Sequence, residues 1–201
     1  MTPVWLHGWP LDERMWERQV ARFGGVAMRL YGRGSSIDAW AEQLLAELDG
    51  DDLALVGSSM GGYAALVMAR RAPERVSTIV LSASKAAPDS SERRTFRDEL
   101  IALLRANGPP ENAAKGVTGE ELVAAQEAIR DRDDTTDVVR SFPGLLVACA
   151  GTEDELILTE DAYELAGLAP NGRAEIFPGA GHFINLDAAD EFDGMLETVL
   201  G

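Results

Sequence analysis

The stretch LVGSSMGGYAAL, residues 55–66, decides the fold. An apolar run ends in glycine, two serines and two more glycines follow, and an alanine-rich segment comes next. GSSMG fits the pattern G-x-S-x-G in one register only, Gly57, Ser59 and Gly61. That register sets Ser59 at the apex and leaves Ser58 as a small neighbour. The pattern describes a sharp strand-to-helix turn that strains the backbone of its central residue and lifts the hydroxyl above the sheet. The flanking positions must be glycine because a larger side chain would collide with neighbouring backbone. The following helix turns its N-terminal N–H groups toward the same point. MGGYAALVMARRAPERV is apolar nearly all round until Arg70 and Arg71, which predicts a central, buried helix over 60–71, with Pro73 helping to end it.

Outward from the turn, short apolar runs alternate with amphipathic ones. Strands are expected at 3–7, 26–30, 53–57, 76–82, 145–151 and 174–178, and further helices around 12–22, 37–48, 159–168 and 187–200. Continuous Val/Ile/Leu strands separated by helices indicate a parallel sheet covered on both faces. Residues 86–140 break the alternation with charged segments such as PDSSERRTFRDELIALLRANG and TGEELVAAQEAIRDRDD. Asp89, Ser90 or Ser91 could cap a helix there whose Phe96, Leu100, Leu103 and Leu104 share one face. We expect a helical insertion over the sheet, with a flexible linker as the alternative. The division is one domain, 1–201, with a core of 1–85 and 141–201 and a lid at about 86–140.

A nucleophilic serine needs a base, and the chain has two histidines, His7 and His182. His182 lies in the glycine-rich turn FPGAGHFINLD after the last expected strand, where a side chain can be presented from a rigid scaffold. His7, in LHGWP directly after the first strand, is expected to brace its turn rather than to accept protons. The useful group in that turn is backbone: Gly8 lets the chain bend, and the Trp9 N–H can point at a developing oxyanion beside the N–H of Met60. A carboxylate should hold the imidazole. GTEDELI, beyond the strand ending at Gly151, offers Glu153, Asp154 and Glu155 at the carboxyl edge of the sheet, and Asp154 is the choice among them.

Taken together these segments resemble the α/β-hydrolase fold family over almost the whole chain. LHGWP resembles the family's HG oxyanion turn, GSSMGG its nucleophile elbow, GTEDELI its G-x-x-D acid loop and PGAGHFINLD its G-x-G-H histidine loop. The order Ser, Asp, His is the family's order. The resemblance implies a three-layer α/β fold and a triad of Ser59, Asp154 and His182. It also implies oxyanion donors at Trp9 and Met60, with His7, Gly8, Gly57 and Gly61 structural at the site. Three departures stand out. Family members usually have two further strands before the HG turn, so about six parallel strands are expected, with 26–30 at an edge where a second copy could pair. The insertion is shorter than many lids, which implies an open or shallow pocket. In RLYGRGSS, Arg29 stands where the family has an aspartate, at a position that is usually structural.

Other functions are disfavoured. A formal charge of -16 argues against nucleic acid and anionic membranes as partners, and no apolar stretch approaches the roughly 20 residues of a membrane span. Cys149 is the single cysteine, so no intrachain disulfide forms, and neither a zinc spacing nor G-x-G-x-x-G after a strand is present. No cofactor or metal is expected. With no basic start and apolar run at the N-terminus, a cytoplasmic location is the default. Trp5, Trp16 and Trp40 read as packing, while the Trp9 side chain could also wall the pocket. The expected activity is hydrolysis of a small carboxylic ester or lactone through an acyl-enzyme on Ser59. The alternatives are the same triad acting on a C–C bond or an enol-lactone, and a non-catalytic binding module.

Overall fold

The computed structural model describes residues 1–201. Its strands are β1 (Thr2–Leu6), β2 (Val26–Met28), β3 (Leu53–Ser58), β4 (Val76–Ser82), β5 (Leu145–Gly151) and β6 (Gly172–Phe177). All pair in parallel, in the order β2-β1-β3-β4-β5-β6. Alternate residues of a strand face opposite sides of the sheet, and the core divides accordingly. Leu53 and Leu55 join one apolar cluster with Leu66 and Met68, whereas Val56 joins another with Trp16 and Phe192.

The helices are α1 (Glu17–Phe23), α2 (Ile37–Glu47), α3 (Met60–Arg71), α4 (Ser91–Asn107), α5 (Gly119–Arg130), α6 (Thr136–Ser141), α7 (Thr159–Leu168), α8 (Ile184–Asp187) and α9 (Ala189–Leu200). Helix α3 is buried from Met60 to Ala69, as its apolar circumference requires. No helix is long and apolar enough to cross a membrane.

Departures from the expected elements have local causes. The edge strand expected at 26–30 ends at Met28, and the Leu30 N–H donates to His7 Nε2 (3.0 Å) instead of continuing the ladder. The helix expected at 12–22 is a 3₁₀ turn, Glu13–Trp16, followed by α1, because the Asp12 side chain caps the turn at the Arg14 N–H (3.1 Å). The helix expected at 187–200 breaks at Ala188 (φ −128°, ψ 54°).

Three helices, α4 to α6, occupy the segment between β4 and β5. Ser90 is the cap of α4, accepting from the Arg93 N–H (3.3 Å), and a reciprocal Thr118–Glu121 capping box starts α5. The face expected to pack, Phe96, Leu100, Leu103 and Leu104, is only partly the buried one. Arg97, Ile101 and Leu104 are buried, while Phe96 and Leu103 are 57% and 58% exposed. The helix is rotated because Arg97 turns inward to ion-pair with Asp89.

Candidate active site

Ser59 follows β3 directly and precedes α3, with φ of 49°, a left-handed conformation that costs a non-glycine residue on the order of 1–3 kcal/mol. Its surroundings hold it there. The Ser59 N–H donates to the Ser82 carbonyl (2.8 Å), and its own carbonyl accepts from the Gly62 N–H (2.9 Å) and the Ser84 hydroxyl (2.8 Å). A Cβ on Gly57 would stand 2.4 Å from the Gly61 carbonyl, and one on Gly61 would stand 2.1 Å from the Leu6 carbonyl oxygen. Only glycine fits at either position.

His182 arrives from the loop after β6 and Asp154 from the loop after β5. His182 Nε2 lies 2.9 Å from Ser59 Oγ, and its Nδ1 lies 2.7 Å from Asp154 Oδ2. The other carboxylate oxygen, Oδ1, accepts from the N–H groups of Leu156 (2.8 Å) and Ile157 (3.2 Å). Burial alone would raise the Asp154 pKa. The His182 hydrogen bond and charge, together with the two backbone donors, outweigh it and hold the carboxyl below its ordinary range. An ionised Asp154 accepts from Nδ1–H, which leaves Nε2 free to accept the Ser59 hydroxyl proton. Glu153 and Glu155 are exposed, so the geometry separates Asp154 from its neighbours. Gly151 presses the two loops together: a Cβ there would lie 2.1 Å from the Ala180 carbonyl oxygen, which also accepts from the Glu153 N–H (2.9 Å).

His7 is fully buried, and its Nε2 accepts from the Leu30 N–H. Its Nδ1 must then carry the proton, which it donates to the Gly8 carbonyl (3.2 Å). Burial lowers its pKa to about 4, so it is a neutral brace, as its place in the turn suggested. Gly8 is pinned between Phe183, 2.9 Å from a hypothetical Cβ, and Ser58. The Trp9 N–H makes no backbone hydrogen bond, and Met60 opens α3, where the N–H has no intrahelical acceptor. Neither N–H is engaged by a backbone acceptor.

Ser59 and His182 open into a cavity of about 370 Å³, which Trp9 and Phe183 also line. Such a volume falls within the range of small-molecule sites. Helices α4 and α5 contribute Phe96, Leu100, Gln126 and Ile129 to its lining. Sequence reasoning missed four polar lining residues: Tyr63, Arg93, Arg97 and Gln126. Nothing in the local sequence marks these residues as facing inward.

Comparison with known proteins bears on the family and the fold. The sequence pattern of the Alpha/beta hydrolase family matches residues 4–194. A pimeloyl-[acyl-carrier protein] methyl ester esterase of Aromatoleum aromaticum is 38% identical over 88 residues, spanning 39% of this chain and 35% of that enzyme. The non-heme chloroperoxidase CPO-A1 of Kitasatospora aureofaciens is 26% identical, across 94% of this chain and 87% of its own. A thermophilic esterase from Thermogutta terrifontis superposes with a TM-score of 0.85 at 23% identity, covering 100% of this chain and 89% of that one. At that identity the structural likeness is one of fold.

Proposed function

This chain belongs to the alpha/beta hydrolase family and is an enzyme of it, and from that premise we propose that it hydrolyses a small carboxylic ester or lactone through an acyl-enzyme on Ser59. The observation that carries the proposal is the unbroken chain of hydrogen bonds from Ser59 Oγ through His182 to Asp154, opening into a cavity of small-molecule size. In this reading Ser59 Oγ attacks the carbonyl carbon while its proton passes to His182 Nε2. Asp154 stabilises the imidazolium, and the Trp9 and Met60 N–H groups hold the oxyanion. His182 then returns the proton to the departing alkoxide. Water, activated by the same nitrogen, cleaves the acyl-enzyme. The esterase named among the relatives supports the choice of ester.

The test is hydrolysis of p-nitrophenyl acetate by the native protein and by Ser59→Ala. The variant should lose about three orders of magnitude or more in kcat. Full activity in the variant would overturn the proposal. A panel of simple esters, lactones and vinylogous diketones then separates ester cleavage from C–C cleavage.

A further inference from the structure

Arg93 and Arg97, one turn apart on α4, both line the cavity that holds Ser59 and His182, and no aspartate or glutamate lines it. This is unexpected in a chain of formal charge -16, where most basic side chains sit in ion pairs. Arg93, Arg94, Arg140 and Lys115 make none, and of these Arg93 alone faces the cavity.

The wall behind Arg93 adds to its charge. Arg97, 8% exposed, pairs with Asp89 and donates to Gln126 Oε1 (2.8 Å). Asp89 is shared with Arg132 (2.8 Å), whose guanidinium lies 4.1 Å over the ring of Tyr63, another lining residue. Two guanidiniums around one carboxylate leave a net positive charge buried in the wall. A cavity bounded by low-dielectric surface focuses such a field, and the planar fork of an arginine matches a carboxylate in geometry.

We propose that the substrate carries a carboxylate distant from its scissile bond, and that the Arg93 guanidinium binds it, with the Arg97–Asp89–Arg132 cluster reinforcing the field. The proposal rests on Ser59 being the reacting group, since Ser59 and Arg93 line the same cavity.

Two measurements test it. In the first, kcat/KM is compared for monomethyl adipate and methyl hexanoate. The native protein should prefer the charged ester, chiefly through KM. That preference should fall about tenfold or more in Arg93→Gln, the loss of a charge-assisted hydrogen bond, and reverse in Arg93→Glu. Arg94→Gln, one residue along and exposed, should keep it. Equal preference in native and Arg93→Gln protein would overturn the inference. The second is calorimetric titration with adipate, which needs no turnover. Binding about tenfold weaker in Arg93→Gln is expected, and equal affinity, or no binding by the native protein, would overturn the inference. If neither ester is turned over by the native protein, the proposed reaction fails while the titration still decides the role of Arg93.

Discussion

The floor of the cavity and its helical wall are held by different forces. At the floor, Ser59, Asp154 and His182 stand just beyond the carboxyl ends of β3, β5 and β6, and the chain around them has no spare room. A Cβ on Gly57, Gly61 or Gly151 would approach backbone atoms to 2.4, 2.1 and 2.1 Å. The wall, α4 against α5, is tied at its surface by charge, through Asp98–Arg130 and Arg105–Glu127, each at 2.7 Å with one partner 62% exposed. Steric exclusion fixes atoms to fractions of an ångström and tolerates few residues. Exposed charge pairs tolerate many. Under the proposed mechanism the reaction therefore belongs to the floor, and selectivity to the wall.

The comparison breaks or sharpens on four predictions. The largest effect is expected from Asp154→Asn, which would leave His182 in the wrong tautomer. Steady-state kinetics should show kcat lower by about four orders of magnitude, and a loss below tenfold would remove Asp154 from the reaction. Gly61→Ala comes next, expected to cost about 4 kcal/mol or more in denaturant unfolding, because something must shift at Leu6. Gly119→Ala, in the wall, has its nearest neighbour 3.6 Å away and should be nearly neutral. Equal costs at the two glycines would erase the contrast.

The third prediction concerns His7 beneath the floor. Burial lowers its pKa from 6.5 to about 4, so the unfolded chain binds a proton in this window that the native protein refuses. Its contribution to stability is complete above pH 6.5 and is lost as pH falls through 4, on the order of 3 kcal/mol in all. Urea titrations at pH 7 and pH 4 should show that drop, and His7→Asn should show a shallower one. The smallest effect is expected in the wall: Asp98→Asn should change stability by less than about 1 kcal/mol. A loss above about 2 kcal/mol would mean that the wall is as rigidly held as the floor.

The floor was readable in the sequence because steric rules leave marks at fixed spacing. Gly57 and Gly61 locate Ser59, and the resemblance of GTEDELI to the family's G-x-x-D loop picks Asp154 from three acidic neighbours. The sheet was readable because fully buried parallel strands are continuous apolar runs. The wall was not. A pattern of hydrophobic residues predicts the packed face of α4 as Phe96 to Leu104, but the face is set by a buried arginine whose partner, Asp89, lies before the helix. Nothing local marks Arg97 as inward and Arg94 as outward. Likewise β2 is cut short by a hydrogen bond to His7 from another strand's end, a contact that no window of sequence around residue 30 contains.

The central claim is that Ser59, activated by His182 and Asp154, is the nucleophile. Its most direct measurement is reaction of the folded protein with a fluorophosphonate, read by intact mass and peptide mapping. One adduct is predicted, on Ser59 and not on Ser58, absent in Ser59→Ala and formed far more slowly in His182→Ala. An adduct on another residue, or none on protein shown to be folded, would contradict it.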